Sequence, residues 1–474
     1  MTSSSLKTWH STTVARRLFV AGAGLGPLFV AVHRADDWLE SWNPGLIAAA
    51  ISAVAAFVML AIGIAVRGSA GTVKRAAMEI AAFVCAVAVA EVILVVCAPE
   101  TWPSDPFVQR WIERERAAER RGVEYDARLR ADVIRELRSQ GVDAVPGFAQ
   151  ILGSSRTAST AIRERGLLPL SNASNALIVE CDEGRGFLKY RSDELGFNNP
   201  PGIAVGPVDV AVIGESLAVG HCVPPSTSAV DLIRARFPRT ANFGIAGSRV
   251  LSQIGVFREY VEPLEPPVVV WFVNAGFAQP RDELDQPILV KYLDDPEFSQ
   301  GLRNRQDEID SFIREVAVPL NLARDDALRS AIARANELPL ERMIKLRDVR
   351  GLVEVPPAMR RREPAPDFAH FERAVDLVVD SARGWGGTVI VAVLPSYALS
   401  HEVPGEVARY EAVSRALAER PVTVVDGAAL FAAQPDFDRL YTLGIENHPN
   451  ERGHALLAEA IIASVERAPL HEQP

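Results

Sequence analysis

Several things are scarce or missing in this chain of 474 residues, and each absence narrows what it does. There are four cysteines and eight histidines. No CxxC pair and no cysteine–histidine spacing typical of a metal site occurs, so no metal site is expected and no cofactor is implied. An excess of positive charge is also missing. With 50 Lys and Arg against 60 Asp and Glu the net charge is -10, and the basic face that a general nucleic-acid binder needs is not there. No internal repeat appears. Long uncharged runs are absent too, except within the first hundred residues, whose composition differs sharply from the rest.

That first stretch reads as a membrane anchor. Residues 45–66 are apolar throughout, and 22 helical residues at 1.5 Å each reach about 33 Å, enough to cross a bilayer core. Residues 76–98 are similar but carry Glu79 and Glu91; Glu91 lies within two turns of the outer interface and can reach it. Residues 18–32 are short for a span, with Arg16, Arg17 and His33 able to snorkel at the ends. A secretory signal peptide is the alternative there, although the RADDWLESWNP that follows offers no small-x-small cleavage site. Lys7, Arg16 and Arg17 precede the first segment, and Arg67, Lys74 and Arg75 occupy the 67–75 loop. Retention of basic loops on the cytoplasmic side predicts three spans, with residues 99 onward outside the cytoplasmic membrane. The expected location is the cytoplasmic membrane with an extracytoplasmic domain, and the expected partner of the anchor is the lipid bilayer.

Cys85 and Cys97 lie in an apolar run, where thiols behave as small hydrophobes. Cys181 and Cys222 are the candidate disulfide pair of the soluble part, in an oxidising compartment that permits the bond. Closing that loop of about 40 residues contributes about 4 kcal/mol in the chain-entropy account. Two free buried thiols are the alternative.

Three regions are expected: an anchor over 1–98, juxtamembrane helices and a loop-rich lead-in over 99–207, and an α/β domain over 208–474. Charge-dense helical spacing from Trp102 to Gln140 predicts surface helices ending at Gly141. Prolines and glycines predict mostly loops over 141–207. From residue 208, apolar strands such as DVAVIG, VVVWFVNAG and TVIVAVLP alternate with helical stretches, the pattern of a parallel sheet covered on both faces. A charged, helical insertion is expected at about 281–365.

Within VDVAVIGESLAVG, residues 208–220, an apolar strand breaks at a glycine and sets Ser216 on a turn. A serine hydroxyl needs a neighbouring base to become a nucleophile, and imidazole is the usual one. ENHPNERGH, 446–454, offers His448. A serine at the C-terminal end of a buried parallel strand can meet a histidine carried to the same edge, where open α/β sheets bind ligands. His454 is read as a helix residue and His221 as a turn residue near the site.

On these motifs the soluble part is similar to the SGNH (GDSL-like) hydrolase family. Gly214-Glu215-Ser216 resembles the family's Gly-Asp-Ser, with the acid one methylene longer and Ser216 as nucleophile. NFGIAGS, 242–248, resembles the second block, with Gly247 as an oxyanion donor. Glu446-Asn447-His448-Pro449-Asn450 resembles the last block, with His448 as base. Two positions depart. The family's oxyanion asparagine aligns with Gly276, and Asn274 stands two residues earlier, about 6.5 Å along a strand. The triad acid, three residues before the histidine, aligns with Ile445, which leaves Glu446 as the candidate acid. The resemblance implies a flavodoxin-like three-layer fold and a serine esterase or O-acyltransferase.

The anchored layout, the YRSDELGFNNP run and the GHCV after the serine also resemble a group of bacterial membrane proteins with an extracytoplasmic domain of this family. That resemblance implies an acylated glycan or lipid as substrate and an envelope-assembly protein as a possible partner. A binding module of the same fold that has lost its chemistry is the competing reading, motivated by Gly276 and Ile445. A transporter is disfavoured, because three spans without a central charged pair make a poor pathway.

Overall fold

The computed structural model describes residues 92, 106–147, 155–184, 186–221, 223–278, 287–335, 368–401, 403–445 and 448–468. The three apolar segments expected to span the membrane lie outside the described residues, Val92 excepted. No helix among the described residues is long and apolar enough to cross a membrane. Ala98–Glu341 and Gly351–Pro474 form one compact unit.

Its centre is a five-stranded sheet whose three inner strands are apolar runs buried on both faces. The strands are β4 (Val210–Ile213), β5 (Thr240–Asn242), β6 (Val268–Val273), β7 (Thr388–Val393) and β8 (Thr423–Asp426). All pair in parallel, in the order β5-β4-β6-β7-β8. This is the flavodoxin-like arrangement, in which the strand order reverses beside the first strand of the domain. The alternation of side chains along each strand divides the core in two. Ala211, Ile213, Val269, Trp271, Val389 and Val391 face one apolar cluster. Val210, Val212, Val268, Val270, Phe272 and Ile390 face the other. The helices Val250–Val256 and Ala369–Gly384 contribute to the first, and Ala229–Arg236 and Glu451–Arg467 to the second.

The described part of the lead-in is mostly loops, as its composition predicts, but it also holds the helix Arg156–Arg165 and three short strands: β1 (Ala144–Pro146), β2 (Leu177–Val179) and β3 (Lys189–Arg191) form a small mixed sheet, with β1 parallel and β3 antiparallel to β2. Val145, Ile178, Leu188 and Phe197 belong to the same apolar cluster as Ile213 and Trp271. The lead-in therefore shares the core of the α/β domain. Its strands are three residues long, Ala-Val-Pro, Leu-Ile-Val and Lys-Tyr-Arg, too short for periodicity to give more than a weak strand signal. The described part of the insertion carries the helices Pro287–Asp294, Gln306–Phe312 and Val318–Ala335.

Glu180, at the end of β2, is 6% exposed. Burial pushes its carboxyl up to about 7, with the Arg130 guanidinium pulling the other way. A carboxyl whose folded pKa exceeds its unfolded value supports the fold while protonated and loses that contribution as pH rises between the two values, here from 4.5 to about 7. The difference amounts to about 3 kcal/mol at most. Glu180→Gln is expected to leave the melting temperature near pH 4 almost unchanged and raise it by a few degrees near pH 8, measured by circular dichroism at both values.

Candidate active site

Ser216 reaches the sheet edge through a glycine that nothing else can replace. β4 ends at Ile213, and Gly214 turns the chain at φ 149°. A Cβ there would lie 2.7 Å from Phe272 Cβ and 2.9 Å from the Phe272 carbonyl oxygen on β6. The chain then enters the one-turn helix Ser216–Val219, with Ser216 4% exposed. Two asparagines hold that turn: Asn242 Nδ2 donates to Ala218 O at 2.6 Å and Asn198 Nδ2 to Val219 O at 2.8 Å. Asn198 belongs to the YRSDELGFNNP run, which Asp193 organises by accepting from Leu195 N, Phe197 N and Asn199 Nδ2.

His448 arrives from the other end of the chain. It precedes the helix Glu451–Arg467, whose start is capped by Asn450 accepting from Arg452 N and Gly453 N. Its Nε2 lies 2.9 Å from Ser216 Oγ, across 232 positions of sequence. Its Nδ1 lies 2.8 Å from Oε1 of Glu183. Glu183 has a side chain 1% exposed and also accepts from Arg114 Nη2 at 3.2 Å. Burial alone would raise the Glu183 carboxyl, but the charge and hydrogen bond of His448, with Arg114 behind them, hold it below the usual carboxylate range. An ionised carboxylate only accepts, so Nδ1 carries the proton, and in the neutral ring Nε2 is then free to take the serine proton.

The carboxylate found on the His448 ring is Glu183, a residue the sequence did not single out; Glu446 lies outside the described residues. Glu183 occupies the hairpin loop between β2 and β3, where Asp182 fixes the turn by accepting from Gly184 N and Asp126 N. Ile445, at the family's acid position, packs instead with Ala117, Ala118 and Leu443. Those two alanines lie on the helix Pro106–Arg121, which also carries Arg114. The same helix grips the His448 loop through Arg121, whose Nη1 donates to Tyr441 O and Thr442 O. Gly444 (φ 65°) admits that guanidinium, which a Cβ would strike. No spacing in the sequence points to Glu183, because its partner is 265 residues away. The only local signal is an acid in the short CDEG loop between two strand-like pieces.

The other predicted residues gather at the same edge. Ile245 N and Ser248 Oγ both donate to Gly214 O, at 3.1 and 3.0 Å, which ties the loop bearing Gly247 (φ 72°) to the serine turn. Asn274 follows β6, and the register that sets Ile213 opposite Trp271 brings it to the edge occupied by Ser216. Its Oδ1 accepts from Gly276 N at 2.9 Å, leaving Nδ2 as its donor. Arg249 Nη2 donates to Gly276 O at 3.2 Å. His221 packs against His448 with ring centroids 4.7 Å apart, and burial, then the charge on His448, push its imidazole down to about 3. His454 is fully buried, accepts from Ala229 N at 3.0 Å, and belongs to the core. Cys181 is disulfide-bonded, two residues before Glu183, and Cys222 lies outside the described residues. Among the described residues no three His, Cys, Asp or Glu side chains gather as a metal ion would need.

No protein-family model matches the chain, and no curated protein matches it. Among solved structures it is similar to a protein described as lipolytic and of the G-D-S-L family from Desulfitobacterium hafniense DCB-2, at 16% identity over 54% of this chain and 97% of that one, TM-score 0.30. It is also similar to the acetylxylan esterase Axe2 from Geobacillus stearothermophilus, at 14% identity over 54% and 93%, TM-score 0.29. A third is the lipase/acylhydrolase from Enterococcus faecalis, at 14% identity over 56% and 100%, TM-score 0.31.

Glu183→Gln keeps the size of the acid but removes its charge, so the ring loses the partner that fixes its tautomer. The expected loss is roughly 10^2 to 10^4-fold in kcat/KM on an aryl acetate. Glu446→Gln is expected to stay within about threefold of wild type in the same assay. Equal losses in the two variants would return the acid role to Glu446.

Proposed function

We propose that the chain is an SGNH-type serine esterase or O-acyltransferase that works through an acyl-enzyme on Ser216. One observation carries the reading: Ser216 Oγ lies 2.9 Å from His448 Nε2, and the opposite ring nitrogen lies 2.8 Å from a buried carboxylate. Nucleophile, base and orienting acid within hydrogen-bond reach are what activation of a hydroxyl needs.

In this reading His448 Nε2 takes the hydroxyl proton as Oγ attacks the ester carbonyl carbon. The resulting oxyanion is met by Ser216 N–H, Gly247 N–H and the Asn274 amide. The imidazolium, held by Glu183, gives its proton to the leaving alkoxide, and the acyl group stays on Ser216. Water or a second hydroxyl then attacks, passing its proton to His448, and Oγ recovers it when the acyl group departs. Hydrolysis and transfer differ only in that second nucleophile. The apolar segments before residue 99 support an anchored enzyme in a bacterial inner membrane with its site on the extracytoplasmic side, and a disulfide at Cys181 fits an oxidising compartment. The substrate class is then an ester on an envelope glycan or lipid, met beside an envelope-assembly protein.

Ser216→Ala is expected to abolish turnover of an aryl acetate and labelling by a fluorophosphonate probe, while the melting temperature stays within a few degrees of wild type. A correctly folded wild-type protein that refuses both reagents, and still binds glycan after Ser216→Ala, would make the chain a binding module instead.

A further inference from the structure

The residue before the nucleophile is in an unusual place. Glu215 is 2% exposed, and its Oε2 accepts from the backbone N–H of Ser216 at 2.7 Å. The same oxygen also contacts Ser216 Oγ. Its Oε1 is buried with no hydrogen-bond partner among the described residues. One carboxylate therefore touches both atoms of Ser216 that the proposed reaction uses: the oxygen that attacks and the N–H that receives the oxyanion.

Proton counting shows what this contact does. Ser216 has one hydroxyl hydrogen, and an ionised carboxylate has none to give. When the hydroxyl donates to Glu215, it cannot donate to His448, and the 2.9 Å contact with Nε2 is then either empty of a proton or filled by an imidazolium N–H. In neither case is the base ready to take the serine proton. The charge acts in the same direction. An anion seated on the Ser216 N–H occupies the place where negative charge develops during attack, and repels it in a site with little water to screen it. The extra methylene of glutamate makes this fold-back feasible, since the shorter aspartate side chain ordinarily caps N–H groups two or three residues further on.

We propose that Glu215 is a latch on the nucleophile. In the resting state it holds the Ser216 hydroxyl away from His448 and covers the first oxyanion donor. Rotation of the Glu215 side chain releases both, and the substrate's carbonyl oxygen takes over the Ser216 N–H. Glu215 is a positioning residue here, acting through Ser216, and the inference rests on the acyl-enzyme reading above.

The test uses the full-length chain in detergent, comparing wild type with Glu215→Gln and Glu215→Asp. Glutamine keeps the size but loses the charge, and aspartate keeps the charge but shortens the arm. The rate constant for fluorophosphonate labelling of Ser216 is expected to rise tenfold or more in Glu215→Gln and by a smaller factor in Glu215→Asp. On an aryl acetate, kcat/KM should rise more than kcat, because the latch competes with the bound carbonyl oxygen; a structural role alone would not produce that split. Labelling of both variants at or below the wild-type rate, with melting temperatures near wild type, overturns the latch and leaves the acyl-enzyme reading standing. Absence of labelling in wild type and both variants overturns the two together. Labelling that appears only in the variants supports the latch most strongly.

Discussion

The arrangement depends on one buried charge. Glu183 is almost fully enclosed, and an ionised carboxylate in such a place is tolerable only with partners. It has two, the His448 ring and the Arg114 guanidinium, and neither is its neighbour in sequence. That requirement couples three distant pieces of chain: a hairpin loop of the lead-in, the helix that follows the apolar N-terminal segments, and the loop ahead of the last helix. The helix Pro106–Arg121 serves the site twice, by neutralising the acid and by holding the His448 loop through Arg121. Segment 106–207 is therefore part of the catalytic unit in the proposed reading, and more than a spacer between membrane and domain.

The rest of the edge is built from backbone geometry. A glycine lets β4 leave the sheet against β6, a one-turn helix presents the serine, and asparagines from β5 and from the Asp193 run hold that helix. The Gly247 loop is tied to the Gly214 carbonyl. Each bond is ordinary, but together they fix the serine turn and the Gly247 loop before any substrate is present, and in the proposed reading fixed donors are what make the oxyanion site effective. Glu215 on the Ser216 N–H is the exception, since it fills the place that this preparation creates.

Much of this was legible beforehand. The apolar runs at 210–213 and 268–273 and the helical stretches between them announced a parallel sheet, because a strand buried on both faces must be apolar throughout. Ser216 and His448 stood out because each sits in a short motif at the end of such an element. The small sheet of the lead-in was not placed, since its three-residue strands carry too little periodicity. Glu183 was missed because motif reasoning looks near the histidine, and at the motif position this chain has Ile445, which is used for packing.

By itself, then, the amino-acid order determined the layered α/β domain, the strand that delivers the serine and the loop that delivers the histidine. These follow from local hydrophobic pattern and turn chemistry. Tertiary structure alone decided which carboxylate meets the imidazole and what rests on the serine N–H. Both are settled by burial: a charge removed from water must find its partners in space, wherever along the chain they happen to lie.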